Sequence, residues 1–254
     1  MKIALVLHGQ PRNYRVGFEH LNREIMTRYD CDVFGHTWWA KDDVGQKYET
    51  APWAPQNYQI EDGITDNLNN LYKFKAFKHS PPKRFAPTRT YNVSKPENHD
   101  VIYNTLCSRF YSLKESLQLV ECWKNVSGTN YDFVVITRYD IGLFSPLPKF
   151  NFLDRDKIYV SDMHGDRRYV FNDLFWIAGV KYLSVFKTIY ENLDIIYDKL
   201  GHFTEEEKKM ISYDSEALGW TRFNGEELIS VQFIMNGMVN EVIKDSRLNY
   251  NMIR

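Results

Sequence analysis

The stretch YDFVVITRYDIGLF, residues 131 to 144, runs apolar side chains into an arginine and an aspartate, Arg138 and Asp140, one residue apart. Opposite charges closing a buried strand cost desolvation unless they meet each other, a ligand or water. They are expected at the rim of a sheet, facing a cleft; the plainer alternative is a rim salt bridge, worth at most about 1 kcal/mol if exposed. A similar turn stands earlier, in LHGQPRNYR: Gly9 allows close backbone approach, Arg12 offers a five-donor fork suited to phosphate, and a helical pattern begins near Val16. That is half of a diphosphate pocket, or else a tight turn with a solvated arginine. His36 and Thr37, in FGHTWW, are candidates to line a base or sugar pocket, against the plainer reading of a packed, hydrogen-bonded histidine. Glu216, in YDSEALGW, is a carboxylate whose pKa a neighbouring Trp220 would raise. The alternative places it in the first turn of a helix, where negative charge is favoured.

The elements that must position these residues follow from periodicity. Short apolar runs at 2–7, 31–39, 132–137, 157–162 and 173–179 read as buried strands. Three- and four-residue spacing marks helices through Phe18–Tyr29, Ile102–Val120 and Tyr182–Leu200. Thr204 with Glu207, and Asn224 with Glu227, match helix-capping spacing and predict two short helices near the C-terminus. Strand alternating with helix predicts an α/β fold, a mainly parallel sheet flanked by helices, as one domain over 1–254. Residues 40–97 hold six of the nine prolines around a short helix-then-strand signal at 64–79. They read as an excursion, with Trp39, Tyr48, Trp53 and Tyr58 as a candidate acceptor flap. SDMHGDRRYVFND is read either as a working loop or as a hairpin dressed for solvent.

Composition excludes several classes. Lys plus Arg number 32 and Asp plus Glu 33, so no global field is available to hold nucleic acid or an anionic membrane. An anionic ligand must be met locally. Cys31, Cys107 and Cys122 are scattered inside apolar-periodic stretches and read as buried free thiols. No apolar run approaches the roughly 18 residues needed to cross a bilayer. The expectation is a soluble, cytoplasmic protein. No serine stands in a glycine-flanked elbow, which disfavours a serine hydrolase.

VVITRYDI resembles the strand-to-loop segment of GT-A type nucleotide-sugar glycosyltransferases, where two acidic residues flanking one other hold a divalent ion against the donor diphosphate. LHGQPRN, CDVFGHTWW and FNDLFWIAG extend the likeness to the small bacterial and viral polysaccharide-type transferases, which share Gly-Gln-x-Arg and Arg-x-Asp motifs. The resemblance runs from residue 2 to about 180. It implies a GT-A-like, Rossmann-like sheet, a nucleotide-sugar donor and a glycan or glycoprotein acceptor. It implies donor binding by Gly9, Arg12, His36, Thr37, Arg138 and Asp140. Asp140 is then the candidate metal ligand, for Mn²⁺ or Mg²⁺. Asp173 stands where the chain re-enters an apolar run, so its carboxylate is expected at the rim within reach of an acceptor hydroxyl, as acid/base or acceptor anchor, with Glu216 as second candidate. Arg138 stands where that pattern has its first aspartate, so the cation is optional. A non-catalytic nucleotide- or carbohydrate-binding module on the same scaffold is the alternative.

Overall fold

The computed structural model describes residues 1–48, 58–91, 93, 96–162, 170–204, 206, 211 and 224–253. β1 (Lys2–Gly9) is apolar on both faces: Ile3, Leu5 and Leu7 enter one core, Ala4 and Val6 the other. Such a strand belongs at the centre of a sheet covered on both sides. α1 (Tyr14–Leu21) leads to β2 (Asp30–Trp38), parallel to β1, and α2 (Ile64–Tyr72) leads to β3 (Ala76–Ser80), parallel to β2. The 29-residue α3 (His99–Ser127) then carries the chain back, and β4 (Phe133–Arg138) pairs in parallel with the free side of β1. Beyond it lie β7 (Phe175–Gly179), antiparallel to its neighbours, then β6 (Ile158–Ser161) and β8 (Val242–Asp245), giving the order β3-β2-β1-β4-β7-β6-β8.

The expected α/β fold with a mainly parallel sheet is therefore present. α1 and α2 cover one face; α3, α4 (Leu183–Lys187), α5 (Leu193–Gly201) and α6 (Gly225–Met235) cover the other. β7 runs antiparallel to both β4 and β6; residues 163–169, most of the stretch read either as a working loop or as a solvent-dressed hairpin, lie outside the described residues. The helix expected over Tyr182–Leu200 is two pieces, and Asn224 caps α6 by accepting from the Glu227 N–H at 2.9 Å. The Thr204 signal depends on Glu207, which lies outside the described residues.

A two-stranded sheet, β5 (Ile141–Leu143) with β9 (Tyr250–Met252), was not expected from the sequence pattern. Its strands are three residues each, too short to show a period. The three cysteines are free thiols, but only Cys107 is buried; Cys31 is half-buried, and Cys122 is exposed on α3, a correction to the expectation. Among the described residues no helix is long and apolar enough to cross a membrane.

Two glycines set the approach of the layers. A β-carbon on Gly17 would lie 1.9 Å from the Tyr139 carbonyl oxygen, and one on Gly35 would lie 2.7 Å from the Tyr139 hydroxyl. Gly17→Ala gains up to about 1 kcal/mol of helix propensity, but pressing a methyl into backbone costs about 1–3 kcal/mol. Urea denaturation is expected to show Gly17→Ala less stable than the parent; a more stable variant would contradict this packing.

Candidate functional site

The order of strands reverses at β1: β2 lies on one side and β4 on the other. In open α/β sheets a crevice forms outside the carboxyl ends of the strands at such a point. The described chain brings Gly9, Arg12, Arg138 and Asp140 to that place. Gly9 adopts φ +99°, which a β-branched or bulky residue avoids. A β-carbon added there would meet nothing within 4 Å, so the glycine serves the turn and fronts open space. Its N–H donates to Ser112 Oγ at 2.7 Å, tying the turn to α3.

Arg138 and Asp140 do meet each other, but not as a solvated rim pair. Arg138 donates through Nε to Asp140 Oδ1 at 2.8 Å and through Nη2 to Oδ2 at 2.7 Å. Arg12 Nη2 approaches Oδ2 at 3.4 Å. The Asp140 side chain is only 3% exposed, and those of Arg12 and Arg138 only 9% and 16%. One carboxylate thus lies between two guanidiniums. Burial and the charge of Arg138 lower the Arg12 pKa, with Asp140 pulling the other way. Burial alone would lower that of Arg138 too, but Asp140 outweighs it and the net shift is upward.

A second pair lies on the α3 face. Arg109 Nη1 donates to Asp173 Oδ2 at the start of the run into β7. A β-carbon on Gly225, the first residue of α6, would fall 2.0 Å from that same Oδ2, so only glycine lets α6 close over the pair. Between the two pairs stands His8, wholly buried and in register with both Arg138 and His36. Neither of its ring nitrogens has a hydrogen-bond partner, nor do Arg12 Nε, Arg109 Nε and Arg109 Nη2, although all are buried. Burial first, then the charges of Arg109 and Arg138, hold the His8 pKa well below the usual histidine value. Among these described side chains, three guanidiniums stand with two carboxylates beside a neutral imidazole.

His36 and Thr37 come to the same strand ends but spend their polar atoms on the framework. His36 bonds Ser112 Oγ at 2.7 Å and Ser80 Oγ at 3.0 Å, and Thr37 Oγ1 donates to the Gly9 carbonyl at 3.0 Å. Both are fully buried, so neither offers a free donor to a ligand; they position the first turn. This corrects their expected place as pocket lining. Glu216 lies outside the described residues, as does Trp53. Tyr48 is core, donating to the Trp38 carbonyl at 3.1 Å, whereas Tyr58 reaches the site. Its hydroxyl accepts from Asn13 Nδ2 at 2.5 Å and its ring lies 5.5 Å from the Arg12 guanidinium. A surface cavity of about 220 Å³ opens beside it, between the first turn and Ile64, and meets the charged cluster only at Arg12.

Arg109 and His8 are the residues that sequence reading passed over. Arg109 is the charge within the otherwise apolar or small face Leu106, Phe110, Leu113, which is the signal available for it. His8 adjoins Gly9 in a turn already singled out.

Asp140 was expected to hold a divalent ion. Both its oxygens are engaged by guanidinium nitrogens, and among the described residues no group of three or more His, Cys, Asp or Glu could hold a metal. The donor set does not fit a cation.

No family model matches this sequence. No curated protein matches it. Among solved structures, the chain is similar to the apo form of the glycosyltransferase GlyE of Streptococcus pneumoniae TIGR4, at 9% identity and a TM-score of 0.41, over 97% of this chain. It spans 45% of the length of that protein.

The two buried histidines generate a pH dependence. His8 and His36 have depressed pKa values in the fold, that of His36 about 3 and caused first by burial. The unfolded chain takes up protons near the ordinary value of about 6.5, so stability present above that pH is lost as pH falls through it. Each histidine contributes about 1.4 kcal/mol per pH unit below that point. Denaturation between pH 6 and 5 should show His8→Gln with a shallower loss than the parent; an identical slope would mean His8 is protonated in the fold.

Proposed function

We propose that this chain is a glycosyltransferase that moves a sugar from a nucleotide diphosphate donor to a glycan or glycoconjugate acceptor. The carrying observation is the set of buried, unpartnered arginine N–H groups, on Arg12 and Arg109, beside Arg138 at the strand-order reversal. Buried donors left unpaired are costly, and a preorganised cluster of them suits a ligand rich in acceptor oxygens. Departure of a nucleoside diphosphate builds negative charge on its phosphates, and fixed guanidiniums in a water-poor crevice stabilise that charge.

In this reading Arg12 and Arg138 face the diphosphate, with Gly9 leaving room for it. Asp173 serves the acceptor. Arg109 fixes one of its oxygens, leaving Oδ1 to receive a hydrogen bond from the incoming hydroxyl, or its proton. The charge of Asp173 helps to raise the Arg138 pKa, which supports placing donor and acceptor groups in one site.

A panel of nucleotide sugars, screened by thermal shift and then by release of nucleoside diphosphate, tests the reading. One donor is expected to stabilise the protein and to be hydrolysed slowly without acceptor. Arg138→Ala should reduce turnover by about 100-fold or more, the scale of losing one transition-state donor. Stabilisation by a donor without release of nucleoside diphosphate would instead identify a non-catalytic binding module. An unchanged rate in Arg138→Ala would remove Arg138 from the reaction.

A further inference from the structure

We infer that the crevice binds its diphosphate without a divalent cation, and that Asp140 is a counter-ion that positions Arg12 and Arg138, not a metal ligand. This rests on the reading of the crevice as a diphosphate site.

A cation site and an anion site differ in which buried atoms they leave unsatisfied. A divalent ion needs carboxylate or carbonyl oxygens with lone pairs facing the site; an anion needs N–H donors. Around the switch point, among the described residues, the unpartnered buried atoms are nitrogens: Arg12 Nε, Arg109 Nε and Nη2, and the ring of His8, which when neutral supplies one donor. Both oxygens of Asp140 are engaged by guanidiniums, from Arg138 and Arg12, and Asp173 gives one oxygen to Arg109. A divalent ion bound at Asp140 would displace the two-point bond from Arg138, then stand beside two guanidiniums of its own sign. The cluster's other carboxylate, Asp173, is already paired with Arg109.

The counter-ion role also explains why an aspartate is needed in a site for anions. Arg12 and Arg138 are both largely buried, and the charge of Arg138 works against that of Arg12. Asp140 lies between them, aligning both forks while leaving Arg12 Nε unused. Among these described side chains three guanidiniums stand with two carboxylates, so an anion is still attracted.

Calorimetric titration with inorganic pyrophosphate, in EDTA and then in excess Mn²⁺, tests this. Pyrophosphate should bind in EDTA, bind no more tightly with Mn²⁺, and lose about 10-fold or more in affinity in Arg138→Gln, a charge-assisted bond being worth that much. Asp140→Asn should lower the melting temperature and weaken pyrophosphate binding equally in EDTA and in excess Mn²⁺, because it misaligns the two arginines and removes no cation. Binding that requires Mn²⁺, or tightens about 10-fold with it, overturns the inference and leaves the diphosphate reading standing. So would an Asp140→Asn variant of unchanged stability that has lost a response to Mn²⁺. Absence of binding in both conditions overturns inference and diphosphate site together. Pyrophosphate binding with no donor hydrolysed would instead remove only the transferase reading.

Discussion

The rim of the sheet depends on one carboxylate standing between two guanidiniums. Asp140 allows Arg12 and Arg138 to be buried side by side at the ends of adjacent strands. Without it their like charges would meet in a low-dielectric setting with no partner; breaking a buried pair by removing one member costs about 3–5 kcal/mol. The same pairing limits what the crevice can receive. Both Asp140 oxygens are used internally, while among the described residues Arg12 Nε, Arg109 Nε and Arg109 Nη2 are buried without partners.

Tyr139, the residue between the pair, is what makes that geometry possible. It turns to the opposite face, fully buried, where its hydroxyl donates to the His36 carbonyl at 3.3 Å and its own carbonyl abuts Gly17 of α1. Arg138 and Asp140 are thereby left together on the other side. The chain end adds a further tie: Ile253 N–H donates to the Asp140 carbonyl at 2.8 Å, and Asn13 Nδ2 donates to the Ile253 carbonyl at 2.8 Å. Segments far apart in the chain thus hold one turn, the kind of support that keeps a binding group within a fraction of an ångström.

Ser112 and Ser116 bring α3 to the same rim. Ser116 donates to the Leu7 carbonyl at 2.9 Å, and Ser112 accepts from the Gly9 N–H. Their small size lets the helix lie close to the strand ends, which carries Arg109 to Asp173. The polar framework and the charged cluster are therefore one construction: His36 and Thr37 orient the turns at the strand ends where the arginines gather.

Local pattern determined β1, β2, β3, β4, β6 and β7 but not β8, and also the parallel majority of the sheet, the cap of α6 and the strand ends bearing Gly9, Arg12, Arg138 and Asp140. Those features are legible because burial on both faces demands unbroken apolar runs, and charges at the end of such runs must lie at a rim. The reversed direction of β7, the short β5–β9 pair and the exposure of Cys122 were not legible, since none of them has a local period. Tertiary structure alone decided that Asp140 faces two guanidiniums, that Arg109 reaches Asp173 from 64 residues away, and that His36 turns its ring to two serines. Electrostatic environment is a sum over neighbours in space. A carboxylate's role, as cation ligand or as counter-ion, therefore depends on which charges folding brings beside it.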